Sequence, residues 1–455
     1  MAAILSSETA SSVDPDFSAT PVPSAARMSK GSLSMAWWAL FSSMFWLVVT
    51  ATLAINYGAG NAIVGMMLSV MAYGVINGVI TRYAIRTGLS VGLFSRRVYG
   101  RAGEILATVI FFSTAIYYGV FEGSVIALAI QDYFPSLSLW QAYLLVVLYS
   151  VPLVFGSVRL WLDKLNGFLL PFYILGLIAA VGFAVHHYGY SNDWLTLGPR
   201  GDEIDSRWLN CFTYFMGIWI MMMYTWDYAR FGKPEDERYH ARINFGIPFY
   251  LCTFLINGLI GVFLAATIPT DGELSETSIV FAILKLMGFW GLLFIWVSQT
   301  RINTANFQLA TVNLQAFMQR VVAIKLSKVL VAMLVGAIVF VVMLTDVFSF
   351  ILTALAYQGI FVVAWVTIAV SYILLNEWLL TKPHTATIDS VPVSGGLWAW
   401  FAASAIGLLL LNGSPQLSVW SAPVTALVAA VVFILLTRKR AGEELSVDYW
   451  VKEER

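Results

Sequence analysis

Long apolar runs separated by short polar or basic segments dominate this chain of 455 residues. Apolar runs of about 20 residues cross the hydrocarbon core of a bilayer as α-helices. Segments of ten residues with alternating polarity, which are typical of membrane β-barrels, are not found. The pattern predicts an all-α integral membrane protein with about twelve transmembrane helices, near residues 36–57, 61–81, 104–130, 139–158, 166–187, 208–226, 246–269, 288–317, 328–345, 347–375, 396–412 and 419–437.

Composition and charge agree with this pattern and orient it. Hydrophobic residues make up 59% of the chain and charged residues only 11%, outside the range of soluble domains. Lys and Arg concentrate in the alternate loops 82–101, 230–242 and 320–328 and near the C-terminus. By the positive-inside rule these loops and both termini are cytoplasmic, in the plasma (inner) membrane. The net charge of zero implies no polyanionic partner such as a nucleic acid.

The chain divides into four parts by composition. Residues 1–33 are rich in Ser, Ala and Pro and lack a basic start followed by an apolar core, so they predict a disordered cytoplasmic segment and not a signal peptide. Residues 34–376 hold the first ten predicted helices and form the core. Residues 377–437 hold helices eleven and twelve, and residues 438–455 form a charged cytoplasmic tail.

The eighth predicted helix has an unusually polar centre, with Arg301 at the depth of the membrane. A charge there costs a few kcal/mol and normally faces the protein interior or a water-filled cavity. If the helix began at Ser278, Arg301 would instead lie near an interface and extend its charged group into it. Because Thr277–Met287 reads as a separate short helix with its own charge, Lys285, we expect Arg301 to be buried.

Glu122 in the third helix is the only carboxylate deep inside an apolar span. Isolated in a low dielectric it could be neutral or take up and release a proton, whereas beside Arg301 it would stay ionised. A fixed pair of charges that locks two helices is the structural alternative. The neighbouring aromatic side chains suit either helix packing or stacking on a flat heterocycle.

Ser42 and Ser43 form a hydroxyl pair in the first helix. Such a pair can cap a helix interruption or give oxygens to a cation, and it can also bond back to its own helix. Cys211 and Cys252 lie in apolar helices, and the histidines form no ligand cluster. We predict no metal site, no cofactor and no enzymatic activity, because no phosphate loop and no nucleophile with a base is found.

Two motifs lie at the ends of predicted helices: the basic loop TGLSVGLFSRRVYGRAG at residues 87–103 and the segment DYARF at residues 227–231. Together they resemble the nucleobase:cation symporter-1 family, the purine and cytosine permeases. The resemblance covers roughly residues 35–375. It implies the LeuT-type fold, in which two inverted repeats of five helices each begin with an interrupted helix, followed here by two peripheral helices.

The resemblance implies substrate contacts on helix three. In the family an aromatic side chain of this helix stacks on the substrate, and a polar residue four positions later bonds it. Matched at Gly119, the aromatic position falls on Tyr117 and the polar position on Phe121. Because Phe121 is not polar, Glu122 becomes the polar candidate.

Helices six and eight carry the other implied substrate contacts. The family has a glycine in helix six followed by a side chain that covers the substrate, which corresponds to Gly217. Strict counting gives Ile218 as the follower, although Trp219 is the residue able to stack. In helix eight the implied substrate amide is Asn306, or Asn303 if a gap is allowed; an Asn amide offers a donor and an acceptor side by side, as a nucleobase edge requires.

The candidate cation site draws on helices one and eight. The resemblance makes Thr300 a cation-site hydroxyl, and the Ser42–Ser43 pair is the candidate for further oxygens by its residue type. Arg301 occupies what resembles the second hydroxyl of the sodium site, and a fixed positive charge there would repel sodium. The favoured coupling is therefore by protons through Glu122, or none.

The expected function is a secondary active transporter that imports a nucleobase or a related small heterocycle by alternating access. The expected partners are the heterocyclic substrate, H+ or Na+ as coupling ion and the lipid bilayer. The alternatives are a sodium-coupled symporter of the same family, an amino acid or amine permease on the same fold, and a channel or sensor without coupled transport.

Overall fold

The computed structural model describes residue 17 and residues 20–155, 163–199, 202–269, 277–345, 350–379 and 394–453; side chains are described except at 351, 376–379 and 438–453. These residues are almost entirely helical and contain no β-strand. The helices of the first half are α1 (Lys30–Trp37), α2 (Phe45–Tyr57), α3 (Ala59–Thr87), α4 (Val91–Tyr133), α5 (Leu139–Leu153) and α6 (Asp163–Tyr188).

The second half of the described chain contains two π-helical turns, at His240–Asn244 and Leu251–Ile256, and twelve α-helical segments. They are α7 (Arg207–Gly217), α8 (Ile220–Ala229), α9 (Glu237–Tyr239), α10 (Ile247–Tyr250), α11 (Asn257–Thr267), α12 (Ser278–Met287), α13 (Phe289–Arg320), α14 (Lys328–Met343), α15 (Ile351–Leu379), α16 (Gly395–Leu411), α17 (Pro415–Ser418) and α18 (Ser421–Glu453). α18 continues as a helix into the predicted C-terminal tail.

Six helical stretches of the described chain are long and apolar enough to cross a membrane. The protein is therefore a multi-pass membrane protein. The remaining helices are shorter or, like α13, carry a polar centre, so the count of twelve spans stays a prediction. The six stretches are Lys30–Tyr57, Ala59–Thr87, Val91–Tyr133, Asp163–Tyr188, Pro234–Thr267 and Leu352–Leu375.

Two predicted helices are interrupted in their middle. Between α1 and α2 the chain passes through a 3-10 turn at Leu40–Ser42 and an extended residue, Ser43. Between α7 and α8 the helical hydrogen bonding breaks at Ile218 and Trp219. These are the first and sixth predicted helices, as the resemblance implied, and each break frees backbone groups at the depth of the membrane.

α13 is the central helix of the bundle and packs along α4, α6 and α14. Gly288, with φ +54°, separates it from α12, which confirms that Ser278–Met287 is a short helix of its own. Arg301 is fully buried. The expectation of a buried charge is therefore confirmed, and the alternative at a membrane interface is wrong.

The N-terminal segment differs from the expectation of disorder wherever it is described; residues 1–16, 18 and 19 lie outside the described residues. Val22 and Met28 are buried, and the Met28 amide donates to the carbonyl of Phe231 at 2.7 Å. Arg27 donates to the carbonyls of Ile85 and Gly232, each at 2.6 Å. Burial of its few apolar side chains and satisfaction of free helix-end carbonyls order a segment whose composition alone indicates no structure.

Close helix contact at the second interruption makes Gly217 a stability determinant. A methyl group added there would lie 2.2 Å from the carbonyl oxygen of Leu355 on α15. We expect Gly217→Ala to destabilise the protein by about 1–3 kcal/mol, because α7 and α15 must move apart. Thermal unfolding of the purified protein in detergent measures this. Gly182→Ala on α6 is the matched control, since no atom lies within 4 Å of its added methyl group; equal unfolding temperatures for the two variants would contradict the prediction.

Candidate functional site

The interruption between α1 and α2 exposes backbone carbonyls, and side chains of α2, α11 and α13 satisfy them. The Arg301 Nη2 donates to the carbonyl of Trp38 at 3.0 Å. The Asn257 Nδ2 donates to the carbonyl of Phe41 at 2.7 Å, and the indole of Trp46 donates to that of Leu40 at 2.7 Å. An unsatisfied carbonyl in lipid costs several kcal/mol, so these donors stabilise the break.

Among the described residues, the guanidinium of Arg301 makes one hydrogen bond, to the neutral carbonyl of Trp38. Its Nε and Nη1 have no hydrogen-bond partner among the described residues. The ring of Tyr173 on α6 stacks on Phe294 of α13 at 5.6 Å, so the α6 wall runs alongside this part of α13. Because no carboxylate of the described residues pairs with it, the side chain brings a positive charge without an ionic partner there against the Trp38 carbonyl of the break.

Glu122 joins α4 to the same break and to α13. Its carboxylate accepts hydrogen bonds from the Ser43 hydroxyl and from the Gln299 amide. The Gln299 Oε1 in turn accepts from the Met44 amide at 2.9 Å. Glu122 is 2% exposed, and within the described part of the chain no basic side chain pairs with it. The alternative of a Glu122–Arg301 ion pair is therefore not realised in the structure.

Ser42 and Ser298 complete the link between the break and α13. The Ser298 hydroxyl donates to the carbonyl of Ser42 at 2.5 Å, and the Ser42 hydroxyl lies 3.3 Å from the carbonyl of Ser298. The Thr300 hydroxyl points elsewhere and hydrogen-bonds the Tyr149 hydroxyl of α5 at 3.0 Å. The structure thus brings Ser42, Ser43 and Glu122 together but directs Thr300 to a different helix.

A small central cavity lies between the two interruptions, with a volume of about 20 Å³. This volume holds about one water molecule. Its wall is aromatic and aliphatic, with Ser43, Glu122 and Asn306 as the polar positions. The lining residues are Leu40, Ser43, Phe45, Trp46, Tyr118, Glu122, Ile218, Met221, Tyr224, Ile302 and Asn306.

Asn306 presents a free donor beside this cavity. Its Oδ1 accepts a hydrogen bond from the Tyr224 hydroxyl at 3.1 Å, whereas its Nδ2 has no partner among the described residues. The predicted alternative, Asn303, lies instead against the glycines of α4: methyl groups built on Gly119 and Gly123 would each be 3.6 Å from its amide. Of the two amides, Asn306 is the one that lines the cavity.

The helix-three and helix-six candidates are displaced by one residue. Tyr118, not Tyr117, lines the cavity, and Phe121 is buried against Phe45 with ring centroids 5.4 Å apart. On the second interruption Ile218 lines the cavity directly after Gly217. Trp219 packs instead beside Tyr73, with ring centroids 6.5 Å apart. Ile218, the residue that strict counting from the motif identifies, therefore lines the cavity. Trp219, which was chosen for its ability to stack, does not.

A second cavity of about 20 Å³ lies along the contact between α8 and α13, which we call the seam, toward the basic end of the bundle. It is lined by Gln308, both of whose amide atoms lack partners among the described residues. The buried ion pair of Asp227 and Arg230, at 3.4 Å, forms part of its wall. Asp227 also accepts from the Val91 amide at 3.0 Å, and Arg230 donates to the carbonyl of Phe17 at 2.7 Å. Contacts of the DYARF motif therefore close this end of the seam.

Sequence reasoning missed several residues of the site. Gln299, Tyr224 and Asn257 supply hydrogen bonds that no motif marked. For Gln299 a signal existed, because positions 295, 299, 302 and 306 share one face of a helix. Tyr224 and Asn257 hydrogen-bond residues that are far away in the sequence, so no local pattern marks them.

No protein-family model and no curated protein matches this sequence. Among solved structures the chain is similar to Mhp1, a nucleobase-cation-symport-1 family transporter, in a closed conformation with bromovinylhydantoin bound. The TM-score is 0.74 and the identity 14%, over 95% of this chain and 96% of that one. The inward-facing conformation of Mhp1 matches with a TM-score of 0.72 and 13% identity, over 94% of both chains.

A more distant similarity extends to MhsT in complex with L-phenylalanine, with a TM-score of 0.54 and 12% identity, over 90% of this chain and 98% of that one. At these identities the likeness concerns the fold. It confirms the predicted all-α fold of the LeuT type, whose two interrupted helices are the ones that bound the central cavity.

Proposed function

We propose that this protein is a secondary active transporter that imports a nucleobase or a related small heterocycle by alternating access. The observation that carries the proposal is the central cavity, where Glu122 and Asn306 face an aromatic wall between two interrupted helices. A flat heterocycle gains from a π face on one side and from an amide and a carboxylate at its edge. The similarity to Mhp1, which was solved closed and inward facing, supports the same mode of action here.

The seam between α8 and α13 supports a route from the cavity to the cytoplasm. The basic segments of the chain meet at this end: Arg27 contacts Ile85 and Gly232, and Arg86 pairs with Glu237 at 2.8 Å. By the positive-inside rule this end is cytoplasmic. Opening of the Asp227–Arg230 region would connect the second cavity to the cell interior, as alternating access requires.

We infer that protons, and not sodium, drive this transport. Arg301, which by the resemblance takes the place of a cation-site hydroxyl, contacts the Trp38 carbonyl of the break through its guanidinium. A positive charge within a few Å of such carbonyls outweighs the attraction of neutral oxygens for sodium. Glu122, bonded to Ser43 of the break and facing the cavity, is the group that can bind and release a proton during the transport cycle.

An amine or amino acid permease on the same fold is the second candidate. The observation that favours it is Glu122, whose described partners are neutral although it is buried. A cationic amine would supply the missing counter-charge, because a buried carboxylate without one is costly. The two candidates differ in whether neutral heterocycles bind.

Ligand-induced thermal stabilisation of the purified protein tests both candidates. The panel contains purines, pyrimidines, hydantoin-like rings, amines and amino acids, each with sodium or with choline. We expect stabilisation by a neutral flat heterocycle, equal in both salts. Stabilisation by amines alone would favour the second candidate, and a requirement for sodium would refute the coupling inferred from Arg301.

Two adjacent tyrosines provide the matched variants for this assay. Tyr118→Ala removes the aromatic ring from the cavity wall, and loss of a stacked ring weakens binding by about 1–3 kcal/mol, roughly 5- to 150-fold. Tyr117→Ala, on the half-buried neighbouring position, is expected to leave the affinity within a factor of about three. The opposite order of effects would mean that the ligand lies on the other face of α4.

A further inference from the structure

A separate pocket of about 200 Å³ lies between α4 and α13 at the basic end of the bundle. It is far from the central cavity: Arg320 follows Asn306 by fourteen residues, about 21 Å along the helix. This distance is close to half the thickness of a bilayer with its headgroups, about 40–45 Å. The pocket therefore lies at headgroup level if the cavity lies near the midplane. Its polar lining consists of Arg96, Arg101, Glu104, Thr108 and Arg320.

The charge in this pocket is unbalanced. The side chain of Glu104 is only 5% exposed and receives two guanidinium groups, that of Arg96 at 2.5 Å and that of Arg320. Arg101 adds a third positive charge, is exposed, and has no ionic partner in the part of the chain that the structure describes. Among the described residues of the lining, three arginines therefore accompany one carboxylate, which is an excess of positive charge.

We propose that this pocket binds a phosphate group, that of an anionic phospholipid headgroup. Guanidinium groups bind phosphate oxygens with two parallel hydrogen bonds, and Glu104 holds two of them in fixed positions. The rest of the wall is apolar and consists of Ile105, Ala316, Phe317 and Val321. A mixed wall of this kind suits a glycerophosphate with its acyl chains better than a free anion. Basic pockets between membrane helices on the cytoplasmic side are the expected sites for anionic lipids.

The bound lipid would connect the two helices that carry the central site. Glu122 lies on α4, and Arg301 and Asn306 lie on α13, while the pocket spans the ends of these same helices. A phosphate bridging Arg101 and Arg320 adds to the link that Glu104 already makes. The inference does not depend on the substrate or the coupling ion, and its test requires no transport.

Native mass spectrometry of the purified full-length protein, with phosphatidylglycerol or phosphatidylcholine added, tests the proposal. We expect the wild type to retain phosphatidylglycerol preferentially. Arg101→Gln should weaken this binding about tenfold or more, because one charge-assisted contact is lost. Arg238→Gln, an exposed arginine at the same end but outside the pocket, should bind like the wild type. Arg101→Lys keeps the positive charge but cannot form two parallel hydrogen bonds to a phosphate. Its affinity for phosphatidylglycerol should lie between those of Arg101→Gln and Arg238→Gln.

Three outcomes decide the matter. Equal retention of both lipids by the wild type, or equal loss in Arg101→Gln and Arg238→Gln, would overturn the site. Displacement of phosphatidylglycerol by millimolar glycerol phosphate or inorganic phosphate would keep the phosphate site but refute the lipid as its source. Unfolding temperatures in phosphatidylcholine confirm that the variants are folded, so a loss of binding can be assigned to the pocket.

Discussion

Glu122→Gln is expected to abolish proton-driven accumulation of substrate. In liposomes whose interior is one pH unit more alkaline than the medium, a symporter that moves one proton with each neutral substrate can accumulate substrate about tenfold. The wild type should approach this ratio, and its uptake should rise as the external pH falls. The variant should only equilibrate substrate, with an accumulation ratio near one at every pH.

The physical reason is that the variant keeps the shape of the site but loses its proton. A glutamine at position 122 can still accept a hydrogen bond from Ser43 through its carbonyl oxygen. It cannot alternate between a charged and a neutral form, so outward-facing and inward-facing states no longer differ in proton content. Exchange of labelled for unlabelled substrate, which needs no proton movement, should therefore survive in Glu122→Gln.

Asp132→Asn is the matched control, because Asp132 is an exposed carboxylate near the end of the same helix. It should accumulate substrate like the wild type. A Glu122→Gln protein that accumulates substrate with unchanged pH dependence would exclude Glu122 as the proton carrier. Loss of exchange as well as accumulation would mean that substrate binding requires the charge of Glu122, in line with the amine permease.

Much of the architecture could be predicted because it follows from local patterns. Apolar runs predicted the helices, and the boundary between α12 and α13 falls at Gly288, where the predicted eighth span begins. The cost of a charge in lipid predicted that Arg301 is buried, as it is. Each of these inferences needs only a segment of sequence and the bilayer as solvent.

The details of the site depend on helix rotation, which a sequence leaves open. Neighbouring residues of an α-helix point about 100° apart, so an error of one residue turns a side chain away from its target. Tyr118 and Ile218 line the cavity where Tyr117 and Trp219 were predicted. A motif alignment across a 14% identical fold does not fix the register to one residue.

Contacts between distant segments could not be predicted from the sequence either. Whether Glu122 meets Arg301 depends on how α4 and α13 rotate against the break, and the structure gives each of them separate neutral partners. The packing of residues 20–29 depends in the same way on free carbonyls at the ends of α3 and α8. Composition predicted disorder there because it contains no information about those acceptors.

Arg301→Ser is expected to introduce a response to sodium, which the wild type lacks under the proton coupling proposed above. The substitution removes the guanidinium that contacts the Trp38 carbonyl and puts a hydroxyl in its position. Transport without sodium should fall by about 10- to 100-fold, since a charged hydrogen bond to the break is worth about 1.5–3 kcal/mol. Sodium at ten times its dissociation constant would then stabilise the variant by about 1.4 kcal/mol.

Thermal unfolding in sodium, potassium and choline chloride at equal ionic strength measures this response, and Arg301→Lys is the matched control. Lysine keeps a positive charge beside the carbonyls. The unfolding temperature of this variant, like that of the wild type, should therefore be the same in sodium, potassium and choline chloride. If the wild type itself is stabilised by sodium, the positive charge of Arg301 does not exclude the ion and the proton-coupled scheme fails. If Arg301→Ser is folded but indifferent to sodium, the carbonyls of the break form no cation site in this chain, and Arg301 serves only to stabilise the interrupted helix.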